Sequence, residues 1–173
     1  MIFRLAEISD LPQIKSVFKV ITENMNKKNG QIWDDFYPCE FFEDDILNKR
    51  LYVLMDNDVL VSAFALWTSE PEKYNSIQWE NENAKAQYFG RFGVNVHYQG
   101  KGIGSIMLNY AKSVAKNNGF EYLRIFVVDK NKPAAGLYSK NGLKKAEGMY
   151  IEKFESGLVL NQYGYEYKLN RFN

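Results

Sequence analysis

The chain holds one cysteine and one histidine. A single cysteine excludes an internal disulfide, and one of each excludes the usual multi-ligand zinc site. An excess of charge is also missing: 22 basic residues face 21 acidic ones, for a net charge of +1. No global field therefore favours nucleic acid or an anionic membrane. No apolar run reaches the roughly 18 residues of a membrane span. Met1–Glu7 is too short in apolar length for a signal peptide, so a cytoplasmic location is the default expectation. There is no internal repeat, low-complexity tract or linker. What the chain does have is a core: 46% of its 173 residues are apolar and 16% are aromatic. That length is one domain's worth, and a single domain over residues 1–173 is expected.

One stretch is more informative than any other. An apolar run, Tyr88–Val94, leads into Gly100, Gly102 and Gly104, and a helix-periodic segment from Ile103 to Asn118 follows at once. Strand, glycine loop and helix together can hold phosphate. Successive N–H groups converge on the anion, and the positive end of the helix dipole faces it. Glycines permit positive φ and close approach of a ligand, and Lys101 adds a mobile positive charge. The Walker pattern does not fit: Gly100-Lys101 is followed by Gly, and Asn95 stands where the first Walker glycine belongs. In the dinucleotide fingerprint the third glycine would come one residue later. Alone, the loop also reads as a tight turn, and a general nucleotide-phosphate binder stays open as a reading.

Around it the periodicities predict a regular series of elements. Ile2–Ala6 reads as a strand. Ser9-Asp10 before Leu11-Pro12 marks a helix start, and Leu11, Ile14, Val17, Phe18, Ile21 and Met25 share one helical face up to Asn29-Gly30. A loop over 31–39 precedes a short helix, Glu40–Asn48, whose Glu43-Asp44-Asp45 reads as a solvated face. Strands Leu51–Met55 and Val59–Trp67 flank the tight turn Asp56-Asn57-Asp58. Residues 68–86 are polar with one proline, a loop long enough to suggest a function. A strand is predicted over Tyr122–Val128, and Lys144–Phe154 with Tyr163–Leu169 as an antiparallel tail.

After the strand at Tyr122–Val128 comes Asn131-Lys132-Pro133-Ala134-Ala135-Gly136-Leu137-Tyr138-Ser139-Lys140-Asn141-Gly142-Leu143. Pro133 suits a first helical turn and Gly142 a helix end. Gln99-Gly100-Lys101-Gly102-Ile103-Gly104 resembles the Q/R-x-x-G-x-G/A loop of the GNAT superfamily of N-acetyltransferases. The second stretch resembles that family's N-x-x-A-x-x-L/F-Y-x-K-x-G-F signature, with Leu143 in place of the usual Phe. The two cover roughly residues 88–148. The resemblance implies an α/β (α+β) fold: a mixed, mostly antiparallel sheet flanked by helices and splayed after its fourth strand. It implies acetyl-CoA as acetyl donor, no metal, and a primary amine of a small molecule, a peptide N-terminus or a lysine as acceptor. It places the coenzyme pyrophosphate on the backbone of Gln99, Gly100, Lys101, Gly102, Ile103, Gly104 and Ser105. It places the pantetheine arm along Phe92, Gly93 and Val94, whose side chains are otherwise ordinary core and need not be sensitive to substitution. Asn131 is implied near the pantetheine or phosphate, though starting the turn before Pro133 is an equal and compatible role.

Acetyl transfer needs a neutral amine, a donor for the carbonyl oxyanion and a proton for the leaving thiolate. Tyr138 stands seven residues after Asn131, where the family's sulfur-facing tyrosine lies. A phenol keeps its proton at neutral pH, so Tyr138 is the expected catalytic acid, with a core tyrosine as the alternative. No base is evident, because Phe126 stands where some relatives carry an acid. Asp129, Asp34, Asp35, Glu80 and Glu82 are candidates, and a relay of ordered water would also serve. The aromatic loop of Gln31, Trp33, Tyr37 and Pro38 either walls the acceptor site or forms a satellite core. Such a wall fits an amine with an apolar or cationic portion. Cys39 and His97 read as structural. The implied partners are an amine acceptor and, left open, a second copy of the chain. The other functional reading is a catalytically silent coenzyme A-binding sensor or interaction module.

Overall fold

A computed structural model describes residues 1–69 and 76–169. The remainder, including Pro71 and the neighbouring part of the polar 68–86 segment, lies outside the described residues. In chain order the elements are β1 (Ile2–Leu5), α1 (Leu11–Asn29), α2 (Phe42–Leu47), β2 (Leu51–Asp56), β3 (Val59–Trp67), β4 (Ile77–Gln78), β5 (Ala86–Val94), α3 (Ile103–Asn117), β6 (Tyr122–Val128), α4 (Lys132–Lys140), β7 (Lys144–Lys145), β8 (Glu147–Gly148), β9 (Tyr150–Lys153) and β10 (Val159–Lys168). The chain divides into two compact units.

The first unit comprises Met1–Leu66 and Gly90–Met107. Its strand order is β1-β2-β3-β5, with β2 antiparallel to both β1 and β3. Asn57, at φ 52°, supplies the tight turn between β2 and β3, a left-handed position that Asn tolerates. Leu60 to Leu66 of β3 are buried without alternation, the mark of a strand covered on both faces. Helix α1 carries Pro12 in its first turn and ends at Gly30, with φ 72°. The predicted face is the buried one: Ile14, Phe18 and Ile21 are all in the core. Asp10 does not cap the helix with its side chain. It accepts two bonds from Arg4, at 2.7 and 2.9 Å, and these hold its carboxyl below the ordinary range. Helix α2 starts two residues later than the pattern predicts, because Cys39–Phe41 form a 3-10 turn. Phe18 meets Phe42 of α2 edge-on at 4.7 Å. Each such buried ring contributes about 1.5–3 kcal/mol.

The second unit runs from Trp67 to Phe89 and from Leu108 onward. Its order is β5-β6-β10-β7, and β9 also pairs with β10. The β5–β6 ladder is parallel and runs from Ala86↔Tyr122 to Phe89↔Ile125. It ends there, although β5 continues to Val94 and β6 to Val128. All other ladders that β10 makes, with β6, β7 and β9, are antiparallel. The tail pairs antiparallel with β10 as predicted, through β7 and β9, but its bounds differ. Its first strand breaks into three pieces where Gly148 takes φ 84°, and β8 pairs with β4 instead. Strand β10 begins at Val159, four residues early.

The core here is aromatic: Trp79, Tyr88 and Tyr122 with Ile77, and Phe126 packed against them. A buried ion pair, Arg124–Glu166 at 3.4 Å, runs through it. Arg124 also donates to the Asn81 carbonyl (2.6 Å) and the Tyr88 hydroxyl (3.2 Å). Glu166 accepts from the Glu80 N–H at 2.6 Å. The pair thus pins the end of the polar segment to the sheet, and desolvated charges are tolerated there because each finds several partners.

Candidate active site

In the first unit, β5 delivers the chain to the glycine loop. Asn95, buried, donates from its side chain to the Leu60 carbonyl (2.8 Å) and from its backbone to Val61 (2.9 Å). Its Oδ1 accepts from the His97 N–H at 3.2 Å, shaping the 3-10 turn Val96–Tyr98. Gly100 and Gly102 follow at φ 75° and 80°. These are left-handed positions, which explains glycine at both. A Cβ at either would meet nothing within 4 Å, so the loop faces open space. Helix α3 opens at Ile103, and the N–H groups of Ser105 and Ile106 bond back to the Gly102 carbonyl at 3.1 and 3.2 Å. Those of Ile103 and Gly104 find no acceptor among the described residues. A short array of outward amides at a positive helix end is what a phosphate group requires. The Gln99 side chain turns back to donate to the Val94 carbonyl at 3.1 Å. Lys101 lies over the Tyr98 ring at 5.2 Å, and Tyr98 donates to Asp56 at 3.2 Å.

At the end of β5, Gly93 is more constrained than ordinary core. A Cβ there would lie 2.8 Å from two Phe18 ring atoms and 2.9 Å from Ile21 Cδ1. The expectation that Phe92–Val94 tolerate substitution therefore fails at Gly93: α1 packs directly onto its backbone. The Gly93 carbonyl accepts from the buried Ser62 hydroxyl at 2.7 Å. Two residues earlier, Arg91 adopts φ 47°, rare for a long side chain. Its guanidinium donates to both oxygens of Asp45, at 3.0 and 2.8 Å. Arg50 stands 3.1 Å from the same carboxylate and also pairs with Asp44. Asp45, with 1% of its side chain exposed, corrects the reading of Glu43-Asp44-Asp45 as a wholly solvated face. Its spacing from Phe42 and Ile46 carries it inward, while Glu43 and Asp44 stay exposed. Burial raises the Asp45 carboxyl above the ordinary range, and the two guanidiniums oppose that.

The same guanidinium lies over the rings of Phe41 (4.7 Å) and Tyr37 (5.8 Å). Tyr37 meets Trp33 edge-on at 5.9 Å, and Trp33 stacks on Phe18 at 6.1 Å. The predicted aromatic loop is thus an ordered cluster that shares Phe18 with the core. Trp33 and Tyr37 are half-buried, Pro38 is buried after a cis peptide, and Gln31 is exposed. Asn26 holds the loop through the Trp33 carbonyl at 2.7 Å. Asp34 accepts from the Phe36 and Tyr37 N–H groups at 3.0 and 2.6 Å, which occupies one oxygen in turn-making. Cys39 is half-buried, its Sγ 3.9 Å from the Lys15 carbonyl, and burial pushes its thiol up. An activated thiol needs the opposite shift.

In the second unit, Asn131 caps α4, its Oδ1 accepting from the Ala134 N–H at 3.2 Å. The turn-starting role is therefore realised. Tyr138, on α4, is 5% exposed, with its ring 5.9 Å from that of Tyr165. Phe126 stacks on Tyr88 at 6.0 Å and meets Trp79 at 5.6 Å, so an aromatic wall fills the place where some relatives carry an acid. Asp129 accepts from Asn161 at 3.1 Å through Oδ2, while Oδ1 is buried with no hydrogen-bond partner among the described residues. Asp35, Glu80 and Glu82 are exposed. Among the described residues no group of three His, Cys, Asp or Glu side chains converges as a metal ion would require, and no helix is long and apolar enough to cross a membrane.

Sequence reasoning missed Arg91, Ser62 and the Arg124–Glu166 pair. A charged residue inside an apolar strand, as at Gly90-Arg91-Phe92-Gly93 and Leu123-Arg124-Ile125, was the available signal.

Known proteins agree with this architecture. The chain is 28% identical over 143 residues to a Bacillus subtilis protein named provisionally as a phosphinothricin acetyltransferase, covering 82% of this chain and 83% of that one. A Streptococcus agalactiae acetyltransferase of the GNAT family superposes with a TM-score of 0.80 at 20% identity, covering 99% of this chain and 96% of that one. The Salmonella typhimurium protein yncA, solved with its cofactor acetyl-CoA, does so at 0.66 and 15% identity, covering 99% and 95%. Residues 18–143 match the acetyltransferase (GNAT) family, a span that starts within α1 and takes in the glycine loop and α4, and the chain belongs to that family.

Proposed function

We propose that this protein is an N-acetyltransferase that moves an acetyl group from acetyl-CoA to a primary amine by direct attack. The observation that carries the reading is the loop before α3. Gly100 and Gly102 hold left-handed φ with open space beside them, and the first amides of the helix have no acceptor among the described residues. That chemistry fits a diphosphate, and membership of the family makes coenzyme A the ligand of choice. Gln99–Ser105 would hold the pyrophosphate, and Phe92, Gly93 and Val94 the pantetheine arm, with Asn131 close to it. Bound acetyl-CoA supplies a thioester whose acetyl carbon the amine attacks. The cytoplasm is the expected compartment, and residues 1–173 act as one catalytic domain.

Within this reading Tyr138 gives its phenolic proton to the departing sulfur. Trp33 and Tyr37 line the acceptor side. Phe126 cannot accept a proton, so the amine's proton leaves through water or through Asp129. Holding donor and amine together supplies a large part of the acceleration. A second reading, a coenzyme A-binding sensor without turnover, is favoured by Phe126 in place of an acid. The deciding experiment is single-turnover acetylation of an amine panel by the wild type and Tyr138→Phe. Phe keeps the ring and its packing and removes the O–H. The chemical step should slow by about 10²-fold or more, with little change in acetyl-CoA affinity. An equal rate in the variant would make Tyr138 a packing residue. No turnover by either protein, with coenzyme binding intact, would favour the sensor.

A further inference from the structure

We propose that Arg91 sets the charge class of the acceptor, selecting against amines that carry a second positive charge. The inference deepens the acetyltransferase reading and rests on it, in particular on Trp33 and Tyr37 lining the acceptor side. An aromatic wall ordinarily attracts a cation to its ring faces. Here the chain supplies its own. The Arg91 guanidinium lies 4.7 Å from the Phe41 centroid and 5.8 Å from that of Tyr37. Those two rings are in contact at 5.6 Å, and Tyr37 meets Trp33 at 5.9 Å, so one cation serves a continuous aromatic group.

Two further features show that Arg91 is held there. Its backbone takes a left-handed φ of 47°, a conformation a long side chain adopts only when its surroundings over-determine it. Asp45, almost wholly buried, receives it through two contacts of 3.0 and 2.8 Å. Two of the three acidic groups of α2 are engaged in the process, while Glu43 stays exposed. Asp45 serves Arg91 and Arg50, and Asp44 serves Arg50. Close by, Glu40 is paired with Lys15 at 3.2 Å, and one oxygen of Asp34 accepts from backbone amides. A substrate ammonium beyond the reacting amine therefore meets a fixed like charge and rings already occupied. A neutral alkyl chain or a carboxylate meets neither obstacle.

The test compares kcat/KM for three primary amines of matched length: a neutral alkylamine, an ω-amino acid with a distal carboxylate, and a diamine with a distal ammonium. The wild type should use the diamine at least about tenfold less well than the neutral amine. The double variant Asp45→Asn/Arg91→Asn removes both charges together and leaves Arg50 with Asp44, and Asn tolerates the left-handed φ. In it the diamine penalty should fall to about threefold or less, with the KM for acetyl-CoA unchanged. Arg91→Lys, which keeps the charge, should keep the penalty; a purely structural role predicts that both variants behave alike. A wild type that uses the diamine as well as the neutral amine overturns the proposal, and that comparison needs no variant to fold. Turnover without any charge ranking overturns only the role of Arg91. Absence of turnover with all three amines overturns the acetyltransferase reading itself.

Discussion

Gly93→Ala tests whether the packing described here reaches from the core to the site. The new Cβ would lie 2.8 Å from two Phe18 ring atoms and 2.9 Å from Ile21 Cδ1, against an ordinary contact of at least 3.4 Å, a shortfall of about 0.6 Å. The ring of Phe18 cannot simply swing away. Phe18 is fully buried, wedged against Phe42 at 4.7 Å and Trp33 at 6.1 Å. Overpacking of this kind costs about 1–3 kcal/mol. Any retreat of β5 would also stretch the buried Ser62–Gly93 bond, worth about 1 kcal/mol. A loss of about 2 kcal/mol corresponds to a Tm roughly 4–8 °C lower for a protein of this size. Urea unfolding monitored by circular dichroism measures it directly. If Phe18 yields, its stack with Trp33 yields too, so the KM for the amine should rise more than that for acetyl-CoA. The double variant Phe18→Leu/Gly93→Ala should lose less stability than the single losses combined, because the smaller side chain makes room. A Gly93→Ala protein within about 0.5 kcal/mol of wild type would refute the reasoning.

Two further outcomes follow from the first unit. Gly102→Asp places a carboxylate beside the glycine loop at φ 80°; because the space there is open, it should cost only the backbone strain of about 1–2 kcal/mol and stay folded. Calorimetry should show acetyl-CoA affinity falling at least about tenfold, or roughly 1.4 kcal/mol, and unchanged affinity would sink the phosphate assignment. Cys39, whose thiol is pushed up by burial, should react with iodoacetamide at pH 8 more slowly in the native protein than in urea. The native rate should keep climbing at pH values where an ordinary thiol has levelled off, and a native rate equal to the unfolded one would refute the burial argument.

The elements legible in the sequence were those whose local and tertiary preferences coincide. Helix α1 was readable because Ile14, Phe18 and Ile21 recur at helical spacing between Pro12 and Gly30, and the same residues are buried. The bounds of β6 and β3 were readable from apolar runs, each broken by a single polar residue, Arg124 or Ser62. The glycine loop was legible because Gly100 and Gly102 hold a conformation other residues avoid. The antiparallel pairing of the tail was legible too, but its breaks were not, because they depend on partners distant in the chain. Gly148 leaves β10 to pair with Ile77, and a Cβ there would lie 2.1 Å from the Ser76 carbonyl oxygen. Nothing within Lys144–Phe154 announces that contact. The Asn161 that meets Asp129 likewise lies on β10, which begins earlier than its own alternation indicates.

The residues missed or misread share one property: each is a polar or charged side chain that the fold engages with a partner distant in the chain. Composition treats such residues as solvated, yet Asp45, Ser62, Arg124 and Glu166 are all buried. An isolated charge does not persist in a core, so each demands a partner of opposite sign. For Arg124 that partner is Glu166, 42 residues on; for Asp45 it is Arg91, 46 residues on. Sequence alone can state the demand without naming who meets it. The demand bears directly on function here, because the partner of Asp45 is also the cation over Tyr37 and Phe41. The aromatic loop alone suggested a wall for an amine with an apolar or cationic portion. Arg91, held at that wall by a buried aspartate, argues for the apolar alternative over the cationic one.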